Sequence, residues 1–203
     1  MKAIAIDPMD YPLVLDLGRE LRLTDEELFE LCARNSELRI ERTAEGDLIV
    51  MTPAVPVSSR QSLLVVAALH SWAERDDTGV AFDSSAGFVL PNTAMRAPDA
   101  CWITKQRIAS VPAEERLRFW PVCPDFVVEV RSPSDRLKTQ QAKMEEWRDN
   151  GARLGWLIDP EPRRVHVYRP GAAVEILDDA TSISGDPELP GFVLDLTRVW
   201  KPI

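Results

Sequence analysis

The stretch from residue 124 to residue 160 constrains this chain most. "PDFVVEVRS" at 124–132 is an almost continuous apolar run, the pattern of a strand buried on both faces. "LGWLIDP" at 154–160 is a second such run. Between them, "SPSDRLKTQQAKMEEWRDNG" has helical spacing. Ser132, Pro133 and Asp135 suit a cap, a first-turn proline and a first-turn acid, and Gly151 suits a terminator. Strand, helix, strand in this order predicts a right-handed parallel crossover, with strands over 125–131 and 154–158 and a helix over 134–150.

Charged residues interrupt the first of these strands. At period two, Asp125, Val127, Glu129 and Arg131 share one face, and Phe126, Val128 and Val130 the other. A buried carboxylate or guanidinium is costly unless it finds a partner. The charged face therefore either pairs internally or lines a cleft.

The remaining elements follow from capping and alternation. Thr24 with Glu27 in "LTDEELFEL" forms a capping box that opens a helix. "ELRIERTAEGDLIVMTP" alternates and turns at Glu45-Gly46-Asp47, which predicts a hairpin of 38–43 with 48–52. A helix over 59–75 is expected, capped by Ser58 or Ser59. "GVAFDSSAGFVLP" predicts two short strands and "RAPDACWIT" a strand over 98–104, followed by a variable, helical stretch to Trp120. "RRVHVYRPGAAVEIL" predicts a hairpin turning at Pro170-Gly171, and "LPGFVLDL" a last strand. The sum is a single α/β (α+β) domain. Its expected division is a helical N-terminal extension over 1–35, packed on a core domain of 36–203.

Charge and cysteine usage narrow the function classes. The chain carries a net charge of −9, which argues against a general nucleic-acid binder. Its charge is uneven: residues 131–169 hold nine Lys or Arg against six Asp or Glu, while the rest holds fifteen against twenty-seven. That local excess suits either a solvated helix face or a phosphate-facing groove. Cys32, Cys101 and Cys123 lie far apart with no C-x-x-C, as expected of reduced thiols in a cytoplasmic protein. No apolar run approaches a membrane span, and Asp7 and Asp10 fall where a signal peptide needs an apolar centre, so no membrane partner and an uncleaved N-terminus are expected. His70 and His166 are too far apart to suggest a histidine metal site.

A second strand also carries an acid that a core would not want. In "RAPDACWI", Asp99 shares a face with Cys101 and Ile103. If this strand neighbours the one carrying Glu129, two carboxylates converge. Such oxygens suit a hard cation, magnesium or manganese, whereas singly each acid could simply face water or pair with a surface base.

Pro98-Asp99, followed about thirty residues later by Glu129-Val130-Arg131, is the outline of the PD-(D/E)xK nuclease superfamily with arginine in place of lysine. "ELRIERTAEGDLIVMTP", "FDSSAGFVLP", "RAPDACWI", "VVEVRSPSD" and "AKMEEWRDNGARLGWLIDP" together resemble the Uma-two family of bacterial restriction-endonuclease-like proteins, from about residue 36 to residue 195. The resemblance implies an αβββαβ restriction-endonuclease-like core, a mixed sheet flanked by helices, with extra N- and C-terminal hairpins. It implies Asp99 and Glu129 as ligands of a magnesium or manganese ion, Lys143 in the role of the missing lysine, and Glu41 as a further acid of the site. Gln61 stands where many relatives carry Asn. On helix 132–150, Gln140, Lys143 and Trp147 share a stripe, with Leu137 and Met144 beside it. Lys143 is expected to reach over the sheet as catalytic base or water-orienting group, with Arg131 as a structural or phosphate clamp.

Three function classes remain. The first is a metal-dependent endonuclease acting on DNA. The second is a catalytically inactive nuclease-fold protein that binds nucleic acid or regulates as a homodimer. The third is a dimeric scaffold assembled through strand edges.

Overall fold

The computed structural model describes residues 12–18 and 21–203. The signal-peptide argument on Asp7 and Asp10 lies outside the described residues. In chain order the elements are β1 (Leu13–Leu15), α1 (Asp25–Arg34), β2 (Arg39–Arg42), β3 (Leu48–Met51), α2 (Pro56–Asp76), β4 (Gly79–Asp83), β5 (Phe88–Val89), β6 (Met95–Arg96) and β7 (Ala100–Thr104). There follow α3 (Lys105–Ala109), β8 (Phe126–Val130), α4 (Leu137–Asp149), β9 (Leu154–Asp159), β10 (Arg164–Tyr168), β11 (Glu175–Asp178), β12 (Ser182–Ser184), β13 (Val193–Asp195) and α5 (Thr197–Trp200).

The central sheet runs β11-β10-β9-β8-β7-β4. Only its β8–β9 pair is parallel, as a helical crossover through α4 requires. Taken in order, α2, β4, β7, β8, α4 and β9 form the expected αβββαβ core. A second sheet, β1-β3-β2-β6-β5, is built from the N-terminal hairpin and from the short strands inserted between β4 and β7. The pair β12–β13 stands apart as a small C-terminal hairpin.

Alternation decides which helix each strand face meets. Phe126, Val128 and Val130 of β8 pack with Val65, Leu69 and Trp72 of α2. Val127 packs on the other side with Met144 and Trp147 of α4. Fully burying such side chains contributes about 1.5–3 kcal/mol each. Helix α4 lies so close to the sheet that a Cβ at Gly155 would meet Met144 Cε at 2.5 Å. On the second sheet, Ile40 and Leu48 cover Leu28 of α1, while Glu41 and Ile49 occupy the opposite face of the hairpin. The Thr24–Glu27 capping box is present in both directions, with Thr24 N–H donating to Glu27 at 2.8 Å.

Several elements differ from expectation, the two long helices for a local reason. Helix α4 begins at Leu137, because Ser132 to Asp135 closes a turn of its own: Asp135 N–H reaches Ser132 O at 2.9 Å and Ser132 N–H reaches the Asp135 carboxylate at 2.8 Å. Helix α2 begins at Pro56 rather than after Ser58 or Ser59, since proline is well tolerated at a first helical position. The stretch before Trp120 is mostly irregular, with only the short α3 and one 3-10 turn at Ala113–Glu115. No helix among the described residues is long and apolar enough to cross a membrane.

Candidate active site

Strands β7 and β8 are antiparallel neighbours with Ala100 opposite Val128. One step further, this register sets Asp99 across from Glu129. Strand β7 begins only at Ala100, so the Asp99 carboxylate takes the Val130 N–H at 2.8 Å where a ladder carbonyl would otherwise stand. Glu129 projects from β8 towards α4. There Trp147 donates its indole N–H to Glu129 Oε1 at 3.0 Å, and Lys143 Nζ lies 2.9 Å from the same oxygen.

Lys143 bridges to the second sheet. Its ammonium donates to Glu41 Oε1 at 2.9 Å and to the Ala97 carbonyl at 3.4 Å. Glu41 is held further by the Ala97 N–H at 3.1 Å and by Arg96 Nη1 at 3.1 Å. Arg96 also pairs with Glu146 on α4, which accepts from Asn92 Nδ2 at 2.9 Å. Lys143 and Glu146 are one helical turn apart, so α4 presents one cation and one anion to the hairpin. Arg96, Glu146, Asn92 and the indole donor of Trp147 were not found by sequence reasoning. The one available signal was the i, i+3 spacing of Lys143 and Glu146.

Arg131 does not join this cluster. Strand β8 ends at Val130, so period-two alternation no longer aims the next side chain. The Arg131 guanidinium turns to the end of β9, with Nε 2.8 Å from Asp159 and Nη2 3.3 Å from Glu161. It lines a separate hollow with Ser58 and Gln61 of α2. The expectation that it shares a face with Glu129 is thus corrected, and its clamp holds protein carboxylates. Gln61 is buried and donates to the Val199 carbonyl at 3.0 Å, which ties α2 to α5.

The electrostatics follow from burial and pairing. Burial pushes the Glu129 carboxyl up to about 7, against the pull of Lys143 and with added repulsion from Asp99 and Glu41. Asp99 is raised by burial as well. Glu41 is also penalised by burial, but Lys143, Arg96 and the Ala97 N–H outweigh that and hold it below its usual range. Burial disfavours the charged form of Lys143, yet Glu129 and Glu41 overcompensate, and its pKa rises above the ordinary lysine value. A lysine held this way stays protonated at neutral pH and makes a poor proton acceptor. Of the two expected roles, catalytic base and water-orienting group, a protonated and hydrogen-bonded ammonium suits the second better.

Two acceptors remain unspent. Among the described residues, Asp99 Oδ1 and Glu129 Oε2 accept no hydrogen bond, while their sister oxygens do. Hard oxygen donors fit magnesium or manganese, and magnesium commonly takes one or two carboxylates and completes its shell with water and substrate phosphate. Glu41, by contrast, has both oxygens hydrogen-bonded, to Lys143, Arg96 and the Ala97 N–H. No group of three or more His, Cys, Asp or Glu among the described residues is arranged to hold an ion.

A search of curated proteins finds no match. A solved structure described as a "putative nuclease belonging to DUF820 from Anabaena variabilis ATCC 29413" matches with a TM-score of 0.72 and 21% identity. The match covers 88% of this chain and 98% of that one, and at this identity it establishes the fold alone. The model of the Uma2 family, described as "Putative restriction endonuclease", matches residues 25–197. That span takes in most of the chain and every residue of the cluster around Lys143, and the chain belongs to this Uma2 (Uma-two) family.

Proposed function

We propose that the chain is an endonuclease that hydrolyses phosphodiester bonds of DNA, with magnesium or manganese held by Asp99 and Glu129. The observation that carries this reading is the Lys143 ammonium, 2.9 Å from both Glu129 and Glu41, beside two carboxylate oxygens with no partner among the described residues. When bound, such an ion supplies Lewis-acid stabilisation of phosphate charge and eases deprotonation of an attacking water. Lys143 keeps its proton and sets a fixed positive charge beside the phosphate oxygens, whose negative charge grows as water adds and the ester oxygen departs. Glu41 and Arg96 fix the lysine so that no reorganisation is needed at that moment. Trp147 fixes the Glu129 carboxylate in the same sense.

Most of the basic excess of residues 131–169 is spent inside the protein. Arg131, Lys143, Arg148, Arg153, Arg163, Arg164 and Arg169 all have acidic partners within 4.0 Å. Arg136 and Lys138 have no such partner among the described residues. Both stand at the start of α4, and they are the cations offered to the DNA backbone. A homodimer through strand edges is part of the reading, supported by Val14 and Leu15 on the outer strand β1 and Ile176 on β11, all exposed. A cytoplasmic setting is supported by three free thiols.

The test is cleavage of supercoiled plasmid with magnesium or manganese, against chelator and against Asp99→Asn. Ion-dependent nicking in the parent and a loss of about a hundredfold or more in the variant is the expected result. Equal cleavage by both proteins overturns the assignment of Asp99. A second reading, a binder that does not cleave, is favoured by the acidic balance of the chain, a net charge of −9. It predicts salt-dependent DNA retention, no cleavage with either ion, and a dimer on size exclusion.

A further inference from the structure

Strand β2 carries two arginines on opposite faces, and the fold treats them differently. Arg42 is buried: it donates to the Leu23 carbonyl at 2.9 Å and to the Thr93 carbonyl at 2.7 Å, and it pairs with Asp25 of α1. Arg39 is exposed and shares its face with Glu41. Its one hydrogen bond among the described residues runs from Nη2 to the Ser84 carbonyl at 3.0 Å. It forms no ion pair among the described residues, and its remaining N–H groups are given to nothing there.

The Ser84 anchor sets this guanidinium at the rim of the candidate active site. Ser84 directly follows Asp83, Asp83 stands opposite Ala100 in the β4–β7 ladder, and Ala100 directly follows Asp99. From the same face of β2, Glu41 takes the Ala97 N–H and the Lys143 ammonium. One face of β2 therefore addresses the segment that leads into β7, with Glu41 at residue 97 and Arg39 towards the Asp99 end. The charge of Arg39 is felt there. Asp99, raised by burial, is drawn back by the Val130 N–H, by Lys143 and by Arg39. Asp83, lowered chiefly by the Ser85 hydroxyl and N–H, is lowered by Arg39 as well.

The other cations around the site are differently placed. Arg96, Lys143 and Arg131 each have two acidic partners within the fold. Arg39 has no such partner, yet one of its N–H groups is fixed by a backbone carbonyl, which orients the planar fork. A guanidinium in that state suits a phosphate from outside the protein, which it can grip through two N–H groups at once. Arg39 and Glu41 are roughly 7 Å apart along the strand, a step like that between successive phosphates on one nucleic-acid strand. Lys143, held by Glu41, serves the scissile phosphate, and Arg39 stands one such step away.

We infer that Arg39 is a substrate clamp, whose guanidinium binds the backbone phosphate adjacent to the scissile one on the same DNA strand. The inference rests on the nuclease reading for which phosphate is the neighbour, and on the placement of Arg39 alone for the contact.

The experiment has two arms. In the first, fluorescence anisotropy measures binding of a DNA duplex across salt concentration, with chelator present. The salt slope should fall by about 1 in Arg39→Ala, since one phosphate contact is lost. In the second, a duplex carrying a single methylphosphonate linkage, neutral where phosphate is charged, is cleaved and its products are mapped to the nucleotide. In the parent, the bond on one side of that linkage should be cut about tenfold less than in the unmodified duplex, the scale of one charge-assisted contact. In Arg39→Ala the same linkage should matter less than about twofold, because its partner is already gone. A salt slope unchanged by Arg39→Ala, or equal suppression beside the methylphosphonate in both proteins, overturns the inference, and cleavage by the parent then leaves the nuclease reading standing. A slope that falls by about 1 in a protein that cleaves nothing sinks the nuclease reading and keeps Arg39 as a backbone contact. Arg39→Ala should melt with the parent, because the side chain is exposed. If that variant does not fold, Arg39→Gln, which keeps a donor for Ser84, takes its place in both arms.

Discussion

Asp125 and Glu129 sit four residues apart, on the same side of the same strand, and both are buried. Asp125 is fully used: Oδ2 accepts the Thr104 N–H at 2.9 Å, and Oδ1 pairs with Arg107 at 3.2 Å and more distantly with Arg153. Its own carbonyl receives the N–H groups of Arg153 and Leu154. It ties α3 and the entry to β9 onto the start of β8. Glu129 shares a cation with Glu41, faces a second acid and keeps one oxygen free of hydrogen bonds. Burial of a carboxylate therefore does not mark a site by itself. The distinguishing property is an acceptor the fold leaves unspent, next to a charge the fold has fixed.

That contrast breaks first at Lys143. Lys143→Met should lower cleavage by about a hundredfold to a thousandfold, the scale for removing a preorganised donor. It should also destabilise by about 3–5 kcal/mol, because two buried carboxylates lose their cation. Plasmid nicking and urea unfolding measure the two effects. A variant as stable as the parent would show that Glu129 and Glu41 are solvated without it.

The next effect is a pH dependence. Glu129 has a folded value of about 7 against the ordinary 4.5, so the folded state holds its proton more tightly than the unfolded chain. Metal-free stability should then fall as pH rises from about 4.5 to 7 and level off above, by at most ~3 kcal/mol. Glu41 is shifted the other way, so it withdraws stability only as pH drops below its ordinary range. Unfolding midpoints across pH 4.5–8 should flatten in Glu129→Gln. A parent with no slope in this window would mean that Lys143 already keeps Glu129 ionised.

Asp125→Asn tests the other end of the strand. It should cost about 2 kcal/mol through its weakened bonds to Arg107 and Thr104, and leave the cleavage rate per folded molecule unchanged. A specific loss of cleavage would erase the distinction drawn between the two acids. The smallest stability effect is expected at Arg136 and Lys138. Replacing both with alanine should change stability by less than about 0.5 kcal/mol while lowering the salt slope of DNA binding by about 2. An unchanged slope would move the backbone contact elsewhere.

Much of this molecule could be read from its sequence. Alternation in "PDFVVEVRS" and the helical spacing of "QQAKMEEW" placed β8 and α4, and with them the parallel pair β8–β9. The stripe of Gln140, Lys143 and Trp147 pointed the lysine at the sheet. The capping box at Thr24 and the hairpin turn at Gly46 were equally legible, because each depends on residues no more than a few positions apart. Periodicity misled at Arg131, where the strand had ended, and at Ser132, where a side-chain turn with Asp135 displaced the helix start.

Sequence alone determined which faces of the main strands and helices are apolar, since those follow from periods of 2 and 3.6 acting locally. Tertiary structure alone decided who partners whom. Glu41, Arg96, Glu129, Lys143 and Glu146 come from two sheets and one helix, and their pairing depends on distances that no local pattern encodes. Whether a buried carboxylate becomes a strut like Asp125 or keeps a free oxygen like Glu129 rests on those distant partners, because the count of donors within about 3 Å of each oxygen is set only when the layers close.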